Sequence, residues 1–270
     1  MPRANRYFVP GYVWHITHRC HKREFLLKFA RDRKTWINWL WEAKKRYGLQ
    51  VLNYTVTSNH IHLLVFSNHD REVIPRSLQL IAGKVAQQFN QRKKRKGAFW
   101  QDRYHATAVD RDEHLVRCLM YIDYNMVRAG VVEHPNQWPH SGCHEIVDPP
   151  ERYQLIDRNK LLQLLNIRDG QTLSETYRSW VNEMSKAEGR KRDENWTKPI
   201  AAGSESFVKK IKEKLAGKAV ARSTVANENE AIHVLQEVVA AYNINLGHEM
   251  GSLTPKNALL WNVYDESSTT

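Results

Sequence analysis

Hydrophobic positions in the first fifty residues change from a strand-like to a helical spacing. Residues 11–19, GYVWHITHR, are rich in β-branched and aromatic side chains, which are typical of a strand. Residues 31–47 have apolar side chains at helical spacing and stop at Gly48, a usual helix terminator. The apolar positions are Trp36, Ile37, Leu40 and Trp41, and Lys44 continues the same spacing. The pattern predicts a strand followed by a helix.

The next part of the chain predicts a hairpin and a second helix. Residues 49–58, LQVLNYTVTS, and 60–66, HIHLLVF, are two apolar runs that meet at Ser58-Asn59, which is typical of an antiparallel hairpin. Residues 70–91 then repeat apolar side chains every three or four positions and end in the basic run QRKKRKG. The repeating positions are Ile74, Leu78, Ile81, Val85 and Phe89.

A further strand and a third helix complete the first half. Residues 98–109, AFWQDRYHATAV, contain a short strand, and residues 112–129 predict a helix closed by Gly130. The order strand, helix, strand, strand, helix, strand, helix suits an antiparallel sheet covered by helices, so the predicted class is α+β.

Residues 134–150 separate this half from a second part, because they contain four prolines and little periodicity. We therefore predict one domain at residues 1–148 and a mostly helical extension at 149–270. Helices are predicted in the extension at 157–165, 173–184, 204–215 and 228–242, with Ser204 placed to cap the third. Residues 185–199 are charged and predicted to be exposed, and residues 265–270 are predicted to be disordered.

Composition indicates a class of partner through charge: 41 Lys and Arg against 29 Asp and Glu give a formal net charge of +12. A basic surplus attracts polyanions, and nucleic acid is the first candidate. Because there is no apolar run of about 18 residues and no apolar core near the start, we expect a cytoplasmic protein without membrane association. Cys20, Cys118 and Cys143 are too widely spaced to indicate a disulfide frame or a cysteine zinc site.

The hairpin carries two histidines, His60 and His62, in the stretch SNHIHLLV. Residues two apart on a strand point to the same face, so the two imidazoles lie side by side and could hold a metal ion together. An isolated pair of this kind is more often two ordinary half-buried polar residues. The pair therefore needs partner groups before it indicates a site.

The third predicted helix supplies such partners. A helical wheel places a narrow apolar stripe toward the core, formed by Leu115, Leu119, Ile122 and Met126. Tyr121 and Asn125 lie one turn apart on the margin of that stripe, where they can face a cleft beside the sheet. Tyr124 falls nearly opposite the stripe and is predicted to face solvent. Without the histidines, Tyr121 would be interpreted as a boundary aromatic and Asn125 as a polar residue near a helix end.

Together these residues suggest a phosphate chemistry. A divalent cation held by His60, His62 and the Asn125 side-chain oxygen has only neutral ligands, so its charge remains available to a phosphate oxygen. Tyr121 would then lie beside that phosphate as an oxygen nucleophile and form a phosphotyrosine, whose formation is reversible without ATP. Imidazoles together with oxygen ligands suit Mg²⁺ or Mn²⁺, which we expect as the cofactor.

The segments GYVWHITHR, SNHIHLLV, FWQDRYHATAV and YIDYNMVRAGVV resemble, in this order over roughly residues 5–145, the REP-associated tyrosine transposases of the HUH superfamily. The resemblance implies a ferredoxin-like catalytic core, metal binding by His60 and His62 with Asn125 as a further ligand, and Tyr121 as the nucleophile of a 5′-phosphotyrosine. It implies a substrate of single-stranded DNA that carries a hairpin, or REP-type palindrome, beside a short recognition sequence. The protein would act as a monomer or as a homodimer.

Two departures from the family pattern occur. Thr57-Ser58 stands where the family often has methionine-proline, and Met126 stands where it has proline. Neither change removes a reacting group, but Met126 could alter the end of the helix and therefore the direction of Asn125. The stretch GSESFVKKIKEKL also resembles the helical extension of longer members.

Several basic and aromatic residues are predicted to contact DNA. The basic run at the end of the second helix and Arg103 supply cations, and Trp100 supplies a ring that can stack on unpaired bases. The run could instead be a solvated helix end, and Trp100 could be a core residue. Arg19, His15 and Arg128 are candidates for the phosphate side of the site. The predicted DNA-binding set is Arg19, Lys93, Lys94, Arg95, Lys96, Trp100, Arg103 and Arg128.

Three functions compete at this stage. The first is a transposase that cuts and rejoins single-stranded DNA next to hairpins through Tyr121. The second is a domesticated protein that binds structured DNA without cleaving it. The third is a metal phosphoesterase with water as the nucleophile.

Overall fold

The computed structural model describes residues 8–186, 196 and 199–219. The predicted helix at 228–242, the predicted disordered end at 265–270 and most of the charged stretch 185–199 lie outside the described residues.

Four strands and two helices form the ferredoxin-like order that was expected. They are β1 (Val13–Arg19), α1 (Ala30–Tyr47), β2 (Gln50–Val56), β3 (His60–Phe66), α2 (Val73–Arg92) and β4 (His105–Val109). The strands lie side by side in the order β2, β3, β1, β4, and all three of these contacts are antiparallel. This βαββαβ arrangement confirms the predicted fold class.

The two faces of the sheet carry different chemistry. Pairing of β1 with β3 sets Arg19 opposite His60 and Thr17 opposite His62, so these four side chains share one face. The other face is apolar and is covered by α1 and α2; Trp36 of α1, for example, packs with its ring centroid 6.3 Å from that of the strand residue Tyr54. The polar face is therefore the one available for a site.

The third predicted helix is broken into two pieces, α3 (Glu113–Asp123) and α4 (Asn125–Arg128). The break is at Tyr124, where ψ is 2°. The predicted apolar stripe is confirmed, since all four of its residues are buried. The prediction that Tyr124 faces solvent is wrong: only 2% of its surface is exposed, and its hydroxyl donates to the carbonyl of Val181.

Tyr124 is buried because the C-terminal region packs against this side of α3. That region contains α5 (Cys143–Val147), α6 (Arg158–Leu165), α7 (Gly170–Lys186) and α8 (Glu205–Ala219), which confirms the three predicted helices that fall in the described residues. Ser204 caps α8 as expected, accepting a hydrogen bond from the Phe207 N–H at 3.4 Å. Within the part of the chain that the structure describes, no helix has the length and apolarity to cross a membrane.

A fifth strand was not predicted. Residues Ala201–Ala202 form β5, which adds to the free edge of β4 in parallel. Through β5, residues 199–204 lie along the edge of the sheet next to the polar face, which the carbonyl of Trp196 also reaches; Trp196 and residues 199–204 are called the C-terminal segment below.

Candidate metal and phosphate site

The structure brings the four predicted site residues together on the polar face. The ring centroids of His60 and His62 are 5.0 Å apart, and the Tyr121 ring is 5.5 Å from that of His62. Asn125 reaches the same imidazole, with its Nδ2 2.9 Å from His62 Nε2. The break at Tyr124 thus leaves Tyr121 and Asn125 on the same side, and Met126 does not turn Asn125 away.

His60 is oriented by its own turn. Its Nδ1 lies 2.7 Å from Asn59 Oδ1 and 2.9 Å from Thr57 Oγ1. Asn59 Nδ2 donates to the Arg23 carbonyl at 3.2 Å, which places the amide oxygen of Asn59 toward the imidazole. Since the amide oxygen can only accept, the Nδ1 of His60 carries the proton and Nε2 retains its lone pair.

His62 is oriented by residues far away in the sequence. Its Nδ1 lies 2.9 Å from Nε2 of His15, and His15 Nδ1 donates to the carbonyl of Trp196 at 2.9 Å. His15 is fully buried, so the suggestion that it lies on the phosphate side is wrong. Trp196 was not predicted as a site residue, because nothing in its local sequence indicates contact with β1.

Burial keeps both buried imidazoles uncharged. Desolvation lowers the pKa of His15 to about 3, although its hydrogen bond to Trp196 opposes that shift. Desolvation also lowers the pKa of His62 well below its ordinary value, and electrostatic interactions with His60, His15, Arg128 and Arg19 add to the effect. A neutral imidazole is the form that binds a metal ion.

Two side chains lie against the ring of Tyr121. The guanidinium carbon of Arg128 lies 4.4 Å from the centre of its ring, and the same guanidinium donates to the Tyr121 carbonyl. The Trp196 ring lies 6.2 Å away, and 7% of the tyrosine surface is exposed. The ring therefore contacts both a cation and an aromatic group.

A buried polar cluster anchors α3 beneath the site. Asp123 accepts hydrogen bonds from Asn53 Nδ2 at 2.8 Å and from the Tyr177 hydroxyl at 2.5 Å. Desolvation raises the pKa of the Asp123 carboxyl to about 6, while these two donors work against the shift. The cluster joins α3 to β2 and α7, and sequence reasoning missed it because its members lie far apart in the chain.

The predicted DNA-binding residues fall into two groups. Arg19 and Arg128 lie at the site, where both contribute to the lowered pKa of His62. The others surround the end of α2 and the 98–104 loop. There Arg95 pairs with Glu24 at 3.5 Å, while the Trp100 ring stacks on His18 at 4.1 Å and donates to the Ala82 carbonyl. The remaining members are Lys93, Lys94, Lys96 and Arg103, all exposed.

The donor set suits a cation that also takes ligands from outside the protein. No group of three His, Cys, Asp or Glu side chains able to hold a metal ion occurs among the described residues. His60 and His62 offer two neutral nitrogens, and Asn125 offers an oxygen if its amide rotates by 180° from the orientation seen. Two imidazoles and one amide oxygen leave room for phosphate oxygens and water, as Mg²⁺ and Mn²⁺ prefer.

Comparisons with known proteins show similarity to transposases over part of the chain. Residues 9–125 match the family described as "Transposase IS200 like". A protein of Haemophilus influenzae (strain ATCC 51907 / DSM 11121 / KW20 / Rd) named as a REP-associated tyrosine transposase is 30% identical over 112 residues, covering 38% of this chain and 64% of that protein. The chain thus spans less than two thirds of the length of this relative.

Two solved structures are also similar. One is a REP-associated tyrosine transposase bound to a REP hairpin, with 21% identity, a TM-score of 0.44 and coverage of 54% of this chain and 86% of that chain. The other is a transposase from Deinococcus radiodurans, with 18% identity, a TM-score of 0.32 and coverage of 42% and 88%.

Proposed function

We propose that this chain, whose residues 9–125 belong to the IS200-like transposase family, cleaves and rejoins single-stranded DNA next to hairpins of the REP type. The observation that carries the proposal is the meeting of Tyr121 and Asn125 at one imidazole, that of His62. A nucleophile and two kinds of metal ligand converge there on the polar face of the sheet.

The proposed reaction is a transesterification at Tyr121. Its phenolic oxygen attacks the phosphorus, the phenol proton passes to water, and the 3′ oxygen of the preceding nucleotide leaves and takes up a proton. A 5′-phosphotyrosine and a free 3′ hydroxyl result, and the reverse reaction joins the strands without ATP. The contact of Arg128 with the ring would help to orient the hydroxyl for the attack.

His60, His62 and Asn125 would hold Mg²⁺ or Mn²⁺, which would stabilise negative charge on the phosphate when bound. Both histidines are suited to this because each has a hydrogen-bond partner at Nδ1, which directs Nε2 toward the ligand. Arg19, opposite His60, would contact the phosphate backbone beside the site.

The DNA substrate is supported by charge and by position. The net charge of +12 favours a polyanion, and the basic group at the end of α2 offers a second contact region. We propose that Lys93, Lys94, Arg95, Lys96, Trp100 and Arg103 bind DNA outside the site. A cytoplasmic, nucleoid-associated location, action as a monomer or homodimer, and the division at residue 148 remain predictions.

The test is a covalent-adduct assay with hairpin DNA and Mn²⁺. A 5′-phosphotyrosine keeps the 3′ fragment on the protein, so a 3′-labelled strand should stay bound in detergent while a 5′-labelled strand is released. Tyr121→Phe should abolish the adduct, and Tyr124→Phe, three residues away with its hydroxyl on Val181, should retain it. Cleavage that persists in Tyr121→Phe would instead support water as the nucleophile. Salt-sensitive binding with no adduct from the unaltered protein would support the non-cleaving alternative.

A further inference from the structure

A continuous row of hydrogen bonds crosses the polar face of the sheet. It runs from the carbonyl of Trp196 to His15, from His15 to His62, and from His62 to Asn125, with 2.9 Å between each pair of atoms. Trp196 and His15 are 181 residues apart in the sequence. Trp196 also lies beyond the segment 9–125 that matches the transposase family.

The row has only one direction of donation that is consistent with neutral imidazoles. The Trp196 carbonyl can only accept, so the proton of His15 is on Nδ1. Fully buried His15 therefore presents a bare Nε2, which must accept from Nδ1–H of His62. His62 is then left with a bare Nε2, which accepts from the Asn125 amide. Every contact in the row is satisfied in this direction.

We infer that the Trp196 carbonyl, acting through His15, fixes the tautomer of His62 and directs its Nε2 lone pair toward the position of the metal ion. His15 is thus a positioning residue, and the C-terminal segment takes part in the metal site through its backbone. The inference rests on the proposed role of His62 as a ligand, but the tautomer itself is independent of that role.

This arrangement opposes the preference of the free side chain. In water a neutral histidine side chain favours the proton on Nε2, the nitrogen that would have to bind the metal. A hydrogen-bond acceptor at Nδ1 reverses the preference, which is the usual effect of the second partner of a metal-binding histidine. Here the acceptor is the imidazole of His15. The tautomer of His15 is set by the backbone carbonyl of Trp196, which no side-chain substitution removes.

The direct test is the tautomer of His62 in the full-length, metal-free protein. Long-range proton–nitrogen correlation spectra of ¹⁵N-histidine-labelled protein distinguish the two tautomers, and the His62 signals are assigned by their loss in His62→Asn. We expect His15 and His62 both to carry the proton on Nδ1 near pH 7.5. A proton on Nε2 of His62 in the unaltered protein would overturn the inference, whatever the activity of the protein.

Variants of His15 test the consequence for metal binding. His15→Leu removes the acceptor and should move the His62 proton to Nε2 and weaken Mn²⁺ binding about 10- to 100-fold, the usual loss for such a partner. His15→Gln, whose amide oxygen can accept from Nδ1–H, should bind Mn²⁺ closer to the unaltered protein than His15→Leu does. Unchanged tautomer and Mn²⁺ affinity in His15→Leu would overturn the inference.

The matched control is His105→Leu. His105 lies on the same face, and its Nε2 is 3.1 Å from the carbonyl oxygen of Pro199 in the same C-terminal segment, whereas the Nδ1 of His62 is paired with His15. We expect its loss to leave the His62 tautomer and Mn²⁺ affinity unchanged. An equal effect of both leucine variants would overturn the specific role of His15. If the unaltered protein shows the expected tautomer and yet binds no Mn²⁺, the proposed metal site fails while the tautomer assignment is supported.

Discussion

The two histidines of the site belong to differently built regions of the molecule. His60 stands at the start of β3 and is oriented by Thr57 and Asn59, within three residues of it. His62, two residues further along β3, is oriented by His15 on another strand and by Trp196 in the C-terminal segment. The contacts that orient His60 are local, whereas those that orient His62 come from distant segments. The same proposed role as a metal ligand therefore depends on very different parts of the chain.

The largest effects should come from removing the ligands. His60→Ala and His62→Ala should each reduce Mn²⁺ affinity and adduct formation by more than about 100-fold, since losing a ligand costs more than losing its supporting partner. Their effects on unfolding should differ. His62→Ala leaves His15 Nε2 buried without its partner, so the free energy of unfolding should fall by about 1–3 kcal/mol. His60 is only half-buried, so His60→Ala should lower the free energy of unfolding by less than about 1 kcal/mol. Urea unfolding measures the free energy of unfolding of both variants. Equal losses in the two would contradict the contrast between His60 and His62.

Loss of the local support should have a smaller effect. Asn59→Ala removes one of the two oxygens beside His60 Nδ1, and we expect Mn²⁺ affinity to fall about 10-fold. Asn59→Asp keeps an acceptor at that position and should bind nearly as well as the unaltered protein. Calorimetric titration with Mn²⁺ compares the two, and an equal loss in both would argue against a hydrogen-bond role.

Contacts between distant parts of the chain can be tested separately through the buried polar cluster of Asp123, Asn53 and Tyr177. Tyr177→Phe removes a donor to buried Asp123, so we expect the free energy of unfolding to fall by about 1–3 kcal/mol. Tyr153→Phe is the control, because Tyr153 is 77% exposed and should change stability by less than about 0.5 kcal/mol. A stability of Tyr177→Phe as high as that of the control would show that the cluster does not anchor α3.

Acid should lower the free energy of unfolding through the buried side chain of His140. Burial and the positive charges of Arg33 and Lys34 lower the pKa of His140 to about 4 from 6.5. Between these values the unfolded chain binds more protons than the native one, so this contribution to stability is lost as the pH falls from 6.5 to 4.

His140→Gln should therefore show a shallower loss of unfolding free energy over this pH range, by roughly 1–3 kcal/mol. The raised pKa of Asp123 gives an opposite slope in both proteins, so it cancels in the comparison. Parallel stability curves for the two proteins would contradict the assigned protonation of His140.

Sequence patterns predicted the parts that are determined locally. The strand-like runs of β1, β2 and β3 and the spacing in α1 and α2 predicted an antiparallel sheet covered by helices, and the wheel of α3 placed Tyr121 and Asn125 together at the margin of its apolar stripe. The patterns failed where distant chain segments meet. Tyr124 was assigned to solvent because a wheel of α3 alone contains no information about α7, which covers it.

His15 and Trp196 show the same limit at the site. On the strand pattern His15 is one polar residue of β1, and its role depends on a carbonyl that only the folded chain brings near. A two-residue strand such as β5 also has too few residues to show a period.

The central claim is that Tyr121 forms the bond to DNA, and the adduct itself tests it most directly. The detergent-stable adduct with hairpin DNA and Mn²⁺ would be digested with nuclease and protease, and tandem mass spectrometry would locate the modified tyrosine. The account predicts a nucleotide phosphate on Tyr121 and an unmodified Tyr124 in the same peptide. A phosphate on Tyr124, or on any residue other than Tyr121, would contradict it.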